Sequence, residues 1–333
     1  MVGKITFAAA GFHTLQCTQY RQVSHAMNDN KLPSFSVSSK PSRRSWLATL
    51  GVLEQYLAPH HLLTRWMQRL TRVRAPWFKN RQISWFVRHY QVDMGIAAET
   101  NPLAYPDFNT FFTRPLKAGA RTIISGDNAI VCPADGKISQ IGDVTKGRLF
   151  QAKGYHFDLL TLLGGSEARA RPFRDSRFVT IYLSPRDYHR VHMPLAGRLR
   201  ETIYIPGRLF SVSPRTTQAI QGLFARNERL VCIFDTAIGP VAVILVGAMF
   251  VAGIETVWSG LLPHSKQMIE RDYAAEQVHE EIALECGQEM GRFNMGSTVI
   301  VLFPPDRVEL APGLTQNAPV TVGELLGTMN PSV

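Results

Sequence analysis

The chain has 333 residues, 45% of them hydrophobic and 10% aromatic, which supports a sizeable packed core in two domains or in one large domain with an appendage. Its four cysteines, Cys17, Cys132, Cys232 and Cys286, are scattered without Cys-x-x-Cys or Cys/His spacing. That excludes a disulfide scaffold and a zinc site and points to reduced thiols in a cytosolic setting.

The net charge of +10 is uneven, because residues 1–100 hold 13 Lys/Arg against 4 Asp/Glu. The N-terminal segment therefore seeks phosphate, on anionic lipid or on nucleic acid. Residues 1–44 begin with a short apolar run, Ile5 to Phe12, interrupted by Gly11 and not followed by a small-residue cleavage site, so a signal peptide is not expected. The polar, Ser-rich sequence up to Arg44 reads as a flexible extension.

From Ser45 the period becomes helical. Trp46, Leu50, Leu53 and Leu57 share one face, Leu62, Leu63, Trp66, Leu70 and Val73 form a second apolar arc, and Ile83, Phe86, Val87 and Tyr90 suggest a third helix. Arg65, Arg69 and Arg72 border the second arc at i, i+4 and i+7. Aromatics and leucines edged by arginines describe a helix lying in a membrane interface, with guanidinium groups reaching lipid phosphates. A helical cap packed on the main domain is the competing reading. Nucleic acid is disfavoured, since the bulky residues do not interleave with the basic ones.

From about Asn101 the texture is short β-type runs: Ala129 to Cys132, Gly136 to Ile141, Phe178 to Leu183, Leu199 to Ile205, Leu230 to Phe234 and Thr298 to Leu302. The predicted fold is α+β, with N-terminal amphipathic helices before a mainly antiparallel, sandwich- or barrel-like β core. Thr236 to Ile254 carries no charge over 19 residues, yet its Pro240, its glycines and its valines predict two buried strands meeting near Gly247, not a membrane span.

Three places could carry chemistry. Asp135 sits in Pro133-Ala134-Asp135-Gly136, a turn between two predicted strands. His189 and His192 follow another strand in Ser184-Pro185-Arg186-Asp187-Tyr188-His189-Arg190-Val191-His192-Met193-Pro194. Ser297 follows Gly296 at the head of the last apolar strand, where its hydroxyl is placed to attack the preceding carbonyl. Carboxylate, imidazole and hydroxyl are the set that activates a serine. No Gly-x-Ser-x-Gly elbow, phosphate loop, dinucleotide fingerprint or HExxH is present.

These stretches, together with Phe111-Phe112-Thr113-Arg114-Pro115-Leu116, Gln151-Ala152-Lys153-Gly154, Phe224-Ala225-Arg226-Asn227-Glu228-Arg229, Gly253-Ile254-Glu255-Thr256-Val257-Trp258 and Gly287-Gln288-Glu289-Met290-Gly291-Arg292-Phe293, closely resemble the bacterial, pyruvoyl-dependent phosphatidylserine decarboxylases. The family's Leu-Gly-Ser-Thr is Met295-Gly296-Ser297-Thr298 here, a volume-conserving change. Residues 1–44 have no counterpart.

The resemblance implies a proenzyme that cuts itself between Gly296 and Ser297 into a β chain (1–296) and an α chain (297–333), with Asp135, His192 and Ser297 as the self-cleavage triad. It implies that Ser297 becomes a pyruvoyl group, which forms a Schiff base with phosphatidylserine and yields phosphatidylethanolamine without metal or pyridoxal phosphate. His189 is implied to deliver a proton during decarboxylation, and Phe210 and Ser211, in the loop from Pro206 to Ser213, to contact substrate. The implied organisation is an extension (1–44), a membrane-association segment (45–95) and a catalytic domain (96–333). A peripheral homodimer on the cytoplasmic face of the inner membrane, bound to anionic lipid and not to nucleic acid, completes the expectation. A serine hydrolase or protease using the same three residues, or a non-catalytic basic membrane-binding module, would be the alternatives.

Overall fold

A computed structural model describes residues 60–249, 253–274 and 281–330. The extension 1–44 and the face formed by Trp46, Leu50, Leu53 and Leu57 lie outside the described residues. Two helices come first, α1 (His60–Leu70) and α2 (Pro76–Tyr90), followed by a short α3 (Phe108–Phe112). Pro76 opens α2, where its missing N–H costs no hydrogen bond, and Gln91 ends it in the left-handed region. Asp107 caps α3 by accepting from Thr110 N.

In chain order the strands are β1 (Ala129–Val131), β2 (Gly136–Asp143), β3 (Arg148–Ala152), β4 (Tyr155–Asp158), β5 (Arg177–Leu183), β6 (Arg190–His192), β7 (Gly197–Ile205), β8 (Arg229–Thr236) and β9 (Gly239–Val246). They continue with β10 (Ile254–Thr256), β11 (Gly260–Leu261), β12 (Ile269–Asp272), β13 (Ala283–Leu284), β14 (Glu289–Phe293), β15 (Ser297–Phe303), β16 (Val308–Leu310), β17 (Pro319–Val320) and β18 (Leu325–Met329). The largest sheet runs β12-β7-β8-β9-β15-β5-β2-β17, with β13 also on β7, and its ladders are antiparallel. Its path is open at both ends, so the expected antiparallel core is present but no barrel closes. A second sheet, β11-β10-β14-β6, leads into the first, because β14 and β15 are consecutive in the chain.

β15 lies mid-sheet, paired with β5 on one side and β9 on the other, and all seven of its residues are buried. Its Val-Ile-Val-Leu-Phe sequence suits a strand covered on both faces. The uncharged run is divided differently from expectation. β9 takes Gly239–Val246 in the main sheet, and the next strand begins only at Ile254, in the second sheet. At Gly247 the backbone instead binds the Glu228 carbonyl and the Asn227 side chain, which draws the chain out of the ladder. Among the described residues no helix is long and apolar enough to cross a membrane.

The helices divide between the two readings offered for them. In α2 the expected face is buried: Ile83 and Phe86 pack with Phe108, Phe111 and Phe112 of α3 in a small cluster that also receives Met295. The expected apolar arc of α1 is only partly covered, with Leu63, Leu70 and Val73 half-buried. Thr64 and Thr71 are buried while Trp66 is 62% exposed, and Arg65, Arg69 and Arg72 are exposed. Gln68 Nε2 meets His264 Nε2 at 2.7 Å, tying α1 to the β domain through polar groups.

Phe86 is the hub of the cap, with ring centroids of Phe108, Phe112 and Phe111 at 5.0, 5.8 and 6.0 Å. Phe86→Ala should lower the unfolding free energy by about 3–5 kcal/mol, as expected for a large core truncation. Trp77→Ala, at a site 76% exposed, should change it by less than about 0.5 kcal/mol. Urea unfolding of both variants checks this, and equal effects would show that the cap is not a packed element.

Candidate active site

Antiparallel register brings the chemistry-bearing segments to one end of the main sheet. Ser297 opens β15 opposite Leu183, the last residue of β5, and Tyr182 of β5 faces Lys137 near the start of β2. Asp135 therefore precedes β2 at the end where Ser297 begins its strand and where the chain leaves β5 toward the two histidines. Gly136 is required there, because a Cβ would come 2.3 Å from the Tyr182 carbonyl oxygen.

The turn before Ser297 is held from several sides. Asn294 N donates to the Gly253 carbonyl (2.9 Å), Asn109 Nδ2 of α3 donates to Asn294 Oδ1 (3.0 Å), and Met295 is half-buried on the phenylalanine cluster. Gly296 has φ of +25°, and a Cβ there would meet nothing within 4 Å. Its glycine thus answers a backbone need and leaves space beside the Gly296–Ser297 peptide. Ser297 is fully buried and its Oγ has no hydrogen-bond partner, an uncommon state for a buried hydroxyl and one that functional sites tolerate.

The segment after β5 folds on its own polar groups. Asp187 Oδ2 accepts from Ser184 N (2.6 Å) and Ser184 Oγ (2.7 Å), and Asp187 N returns a bond to the Ser184 carbonyl. This turn delivers His189 into the protein, where Nδ1 donates to the Asp187 carbonyl at 2.8 Å. That bond fixes the tautomer and leaves Nε2 as a bare acceptor, fully buried and unpartnered. The Phe112 ring lies 4.2 Å from the imidazole. Burial, with a smaller contribution from the Arg114 charge, pushes the His189 pKa down to about 3, so the ring is neutral.

His192, on β6, donates from Nδ1 to the Gly287 carbonyl (2.7 Å) and meets the Tyr188 hydroxyl at Nε2 (3.1 Å). Burial lowers its pKa, while Glu289 and Asp135 act in the opposite direction. Asp135 accepts from Val322 N (2.8 Å) and is gripped by Arg121, whose Nε reaches Oδ1 at 3.0 Å and whose Nη2 binds Oδ2. The sequence reading had Asp135 orienting His192 and His192 reaching Ser297. Among the described residues no hydrogen bond joins these three, because the imidazole and the carboxylate are each satisfied by other partners. The segments of Asp135 and His192 are neighbours by other links: His192 N donates to the Pro133 carbonyl (2.8 Å), and Asp135 and Tyr188 line one cavity of about 330 Å³.

Phe210 and Ser211 are placed apart from that cavity. Phe210 is 1% exposed in the main core, bonded through both backbone groups to the Asn227 side chain, with Arg226 over its ring at 5.0 Å. Ser211 Oγ accepts from Ser213 N. The same loop does contribute Val212 and, just beyond it, Pro214 to a neighbouring cavity of about 480 Å³ that shares Lys137, Ser184 and Arg186 with the first. Sequence reasoning missed Arg121, Tyr188, Arg114 and Asn109. Tyr188 and Arg114 lay inside motifs already singled out, whereas nothing local marks Arg121 or Asn109. Among the described residues, no three His, Cys, Asp or Glu side chains gather as metal ligands, and Cys132, Cys232 and Cys286 are free thiols.

His189 gives a pH prediction with a definite sign. Its folded pKa lies below the ordinary 6.5, so the unfolded chain takes up a proton that the folded site refuses. The stability it contributes is complete above pH 6.5 and is lost as the pH falls toward about 3. The fall approaches about 1.4 kcal/mol per pH unit for one proton. Urea midpoints between pH 7.5 and 5 should fall less steeply for His189→Gln than for wild type, and parallel curves would contradict the burial argument.

The comparisons with known proteins agree with this geometry. A family model described as phosphatidylserine decarboxylase matches residues 108–328, and one described as PSD matches residues 50–91. A protein from Stutzerimonas stutzeri is 55% identical over 278 residues, covering 84% of this chain and 94% of its own length. Relatives from Bordetella pertussis (56% identical; 83% of this chain, 93% of theirs) and Pseudomonas aeruginosa (54%; 83% and 96%) are similar to the same extent. All three are called phosphatidylserine decarboxylase proenzyme. With its sheet register, its buried serine and these matches taken together, the chain belongs to the phosphatidylserine decarboxylase family.

Proposed function

We propose that this chain is a proenzyme that cuts itself between Gly296 and Ser297 and then, as a carboxy-lyase, removes the carboxylate of phosphatidylserine to give phosphatidylethanolamine. One observation carries the reading: a buried, unpartnered Ser297 hydroxyl directly follows a positive-φ glycine at the head of the central strand. A buried hydroxyl without a partner has an unspent proton, and the space beside Gly296 admits attack on its carbonyl.

Ser297 Oγ adds to the Gly296 carbonyl carbon and the peptide C–N bond breaks, leaving an ester and a free amine at residue 297. Loss of the Ser297 Cα proton then expels the Gly296 carboxylate, and hydrolysis of the resulting enamine releases ammonia and leaves a ketone. His192 is the proposed base. Its Nδ1–H is fixed on Gly287, so Nε2 is the basic nitrogen, and the Tyr188 hydroxyl must relay the proton or yield its place. Asp135, held by Arg121 and Val322, acts through its charge, which favours the protonated imidazole.

A pyruvoyl group at position 297 would supply a ketone that joins the substrate amine and accepts the electron pair left by carbon dioxide. His189 then returns a proton to substrate carbon. For that its burial must be relieved. Phe210 and Ser211 act in this reading by holding the loop whose Val212 faces the second cavity.

Intact mass spectrometry tests the cleavage step. Wild type should give a large fragment ending at Gly296 and a 37-residue fragment (297–333) lacking a free amine, and Ser297→Ala should remain whole and inactive. An ordinary serine N-terminus in active enzyme would refute the ketone.

The segment 45–95 is the proposed membrane contact, at the cytoplasmic face of the inner membrane. Trp66, Trp77 and Trp85 are exposed, Arg65, Arg69, Arg72, Arg81 and Arg88 are exposed beside them, and α1 and α2 contain no acidic residue. Arg65→Glu, Arg69→Glu and Arg72→Glu combined should reduce sedimentation with anionic liposomes at least roughly tenfold at low salt. Unchanged sedimentation would remove these arginines from the contact.

A further inference from the structure

Arg114 is a buried arginine with too few partners. It is 1% exposed, and only Nη2 is used, donating to the Arg186 carbonyl at 3.0 Å. Nε and Nη1 are buried without a hydrogen bond, and among the described residues no carboxylate pairs with it. The Phe111 ring, 5.6 Å from the guanidinium carbon, covers part of it.

Two other buried arginines show what satisfaction looks like in this fold. Arg229 donates four times, to the carbonyls of Leu162, Ala225, Asn227 and Thr161. Arg169 binds Glu201, Glu270 and the Leu163 carbonyl. An unpaired buried charge is costly, so a guanidinium left in this state calls for an anion the structure does not contain.

Arg114 lines the 330 Å³ cavity together with Arg121, Lys137, Ser184, Arg186 and Tyr188. Three carboxylates lie on its wall: Asp135 is occupied by Arg121, Asp187 by Ser184 and Arg186, and the exposed Asp93 accepts from Gly95 N and makes no ion pair with Arg114. Ser184, on the cavity wall, follows Leu183, the register partner of Ser297, so the wall comes within one residue of that partner. We propose that this cavity receives the phosphodiester of the substrate headgroup, with Arg114 as its main donor and Lys137 at its mouth.

This assignment rests on the function proposed above and names where its substrate is held. Chemistry selects the phosphodiester over the departing carboxylate. A decarboxylase gains nothing by ion-pairing a charge that disperses in the transition state, whereas the phosphodiester keeps its charge throughout and lies only a few bonds from the reacting amine.

The test uses glycerophosphoserine as a soluble probe, with O-methylserine, which lacks phosphate, and inorganic phosphate as controls. On the uncleaved Ser297→Ala chain, glycerophosphoserine should raise the melting temperature, and adding Lys137→Gln or Arg114→Lys should reduce that rise. In the cleaved enzyme, Arg114→Lys should raise KM for phosphatidylserine in detergent roughly tenfold or more, with kcat changed less than about threefold. Its slow turnover of O-methylserine should match wild type. Equal losses on both substrates would make Arg114 structural, and stabilisation by O-methylserine that depends on Arg114 would make this a carboxylate site. Inorganic phosphate that stabilises as well as glycerophosphoserine without inhibiting turnover would make it a free-phosphate site. Each of these overturns the proposal. A wild-type chain that neither cuts itself nor turns over phosphatidylserine would instead refute the functional reading and leave the binding result standing.

Discussion

A strand bonded along both edges cannot slip by one residue without turning its whole buried face outward, and β15 is bonded on both edges. That constraint fixes Ser297. Its position opposite Leu183 is enforced by seven residue pairs with β5 and five with β9, so the reactive peptide sits where the most rigid element meets a turn. Rigidity on one side and an open, positive-φ glycine on the other suit the proposed self-cleavage, in which the nucleophile is held while the carbonyl it would attack stays approachable.

The helical cap supplies the second condition, exclusion of water. Its phenylalanines reach the site directly, since Phe112 lies against His189 and the same cluster takes up Met295 next to Gly296. A neutral, dehydrated imidazole is the consequence. The segment that carries exposed tryptophans and arginines on one side thus builds the wall of the active site on the other. A lipid held by the outer face would lie next to the chemistry that acts on it.

Charge is distributed by the same logic. Arg229 and Arg169 are buried and saturated with acceptors, which makes them struts, and Arg121 is spent on Asp135. Arg114 differs only in being unsaturated. Every guanidinium nitrogen of Arg229 and Arg169 has an acceptor, in Arg229 through carbonyls alone, whereas two of Arg114 have none, which is why the proposed anion is assigned to it.

The sequence by itself determined most of the element types and named the residues proposed to react. β-branched runs announced the strands, including β15, and the Gly296-Ser297 step at its head announced the nucleophile, because apolar periodicity and glycine chemistry are local properties. Asp135 and His189 were legible as loop residues beside strand ends for the same reason, whereas His192, read the same way, lies on β6. Only the tertiary structure decided which groups meet. α1 buries Thr64 and exposes Trp66, and its Gln68 meets His264 of the β domain. Asp135 binds Arg121 and not His192, and Arg114 is buried without an ion pair, because these partners belong to different elements. Periodicity encodes which face of a segment is apolar, whereas the pairing of groups distant along the chain is set by strand register and packing, which no local pattern records.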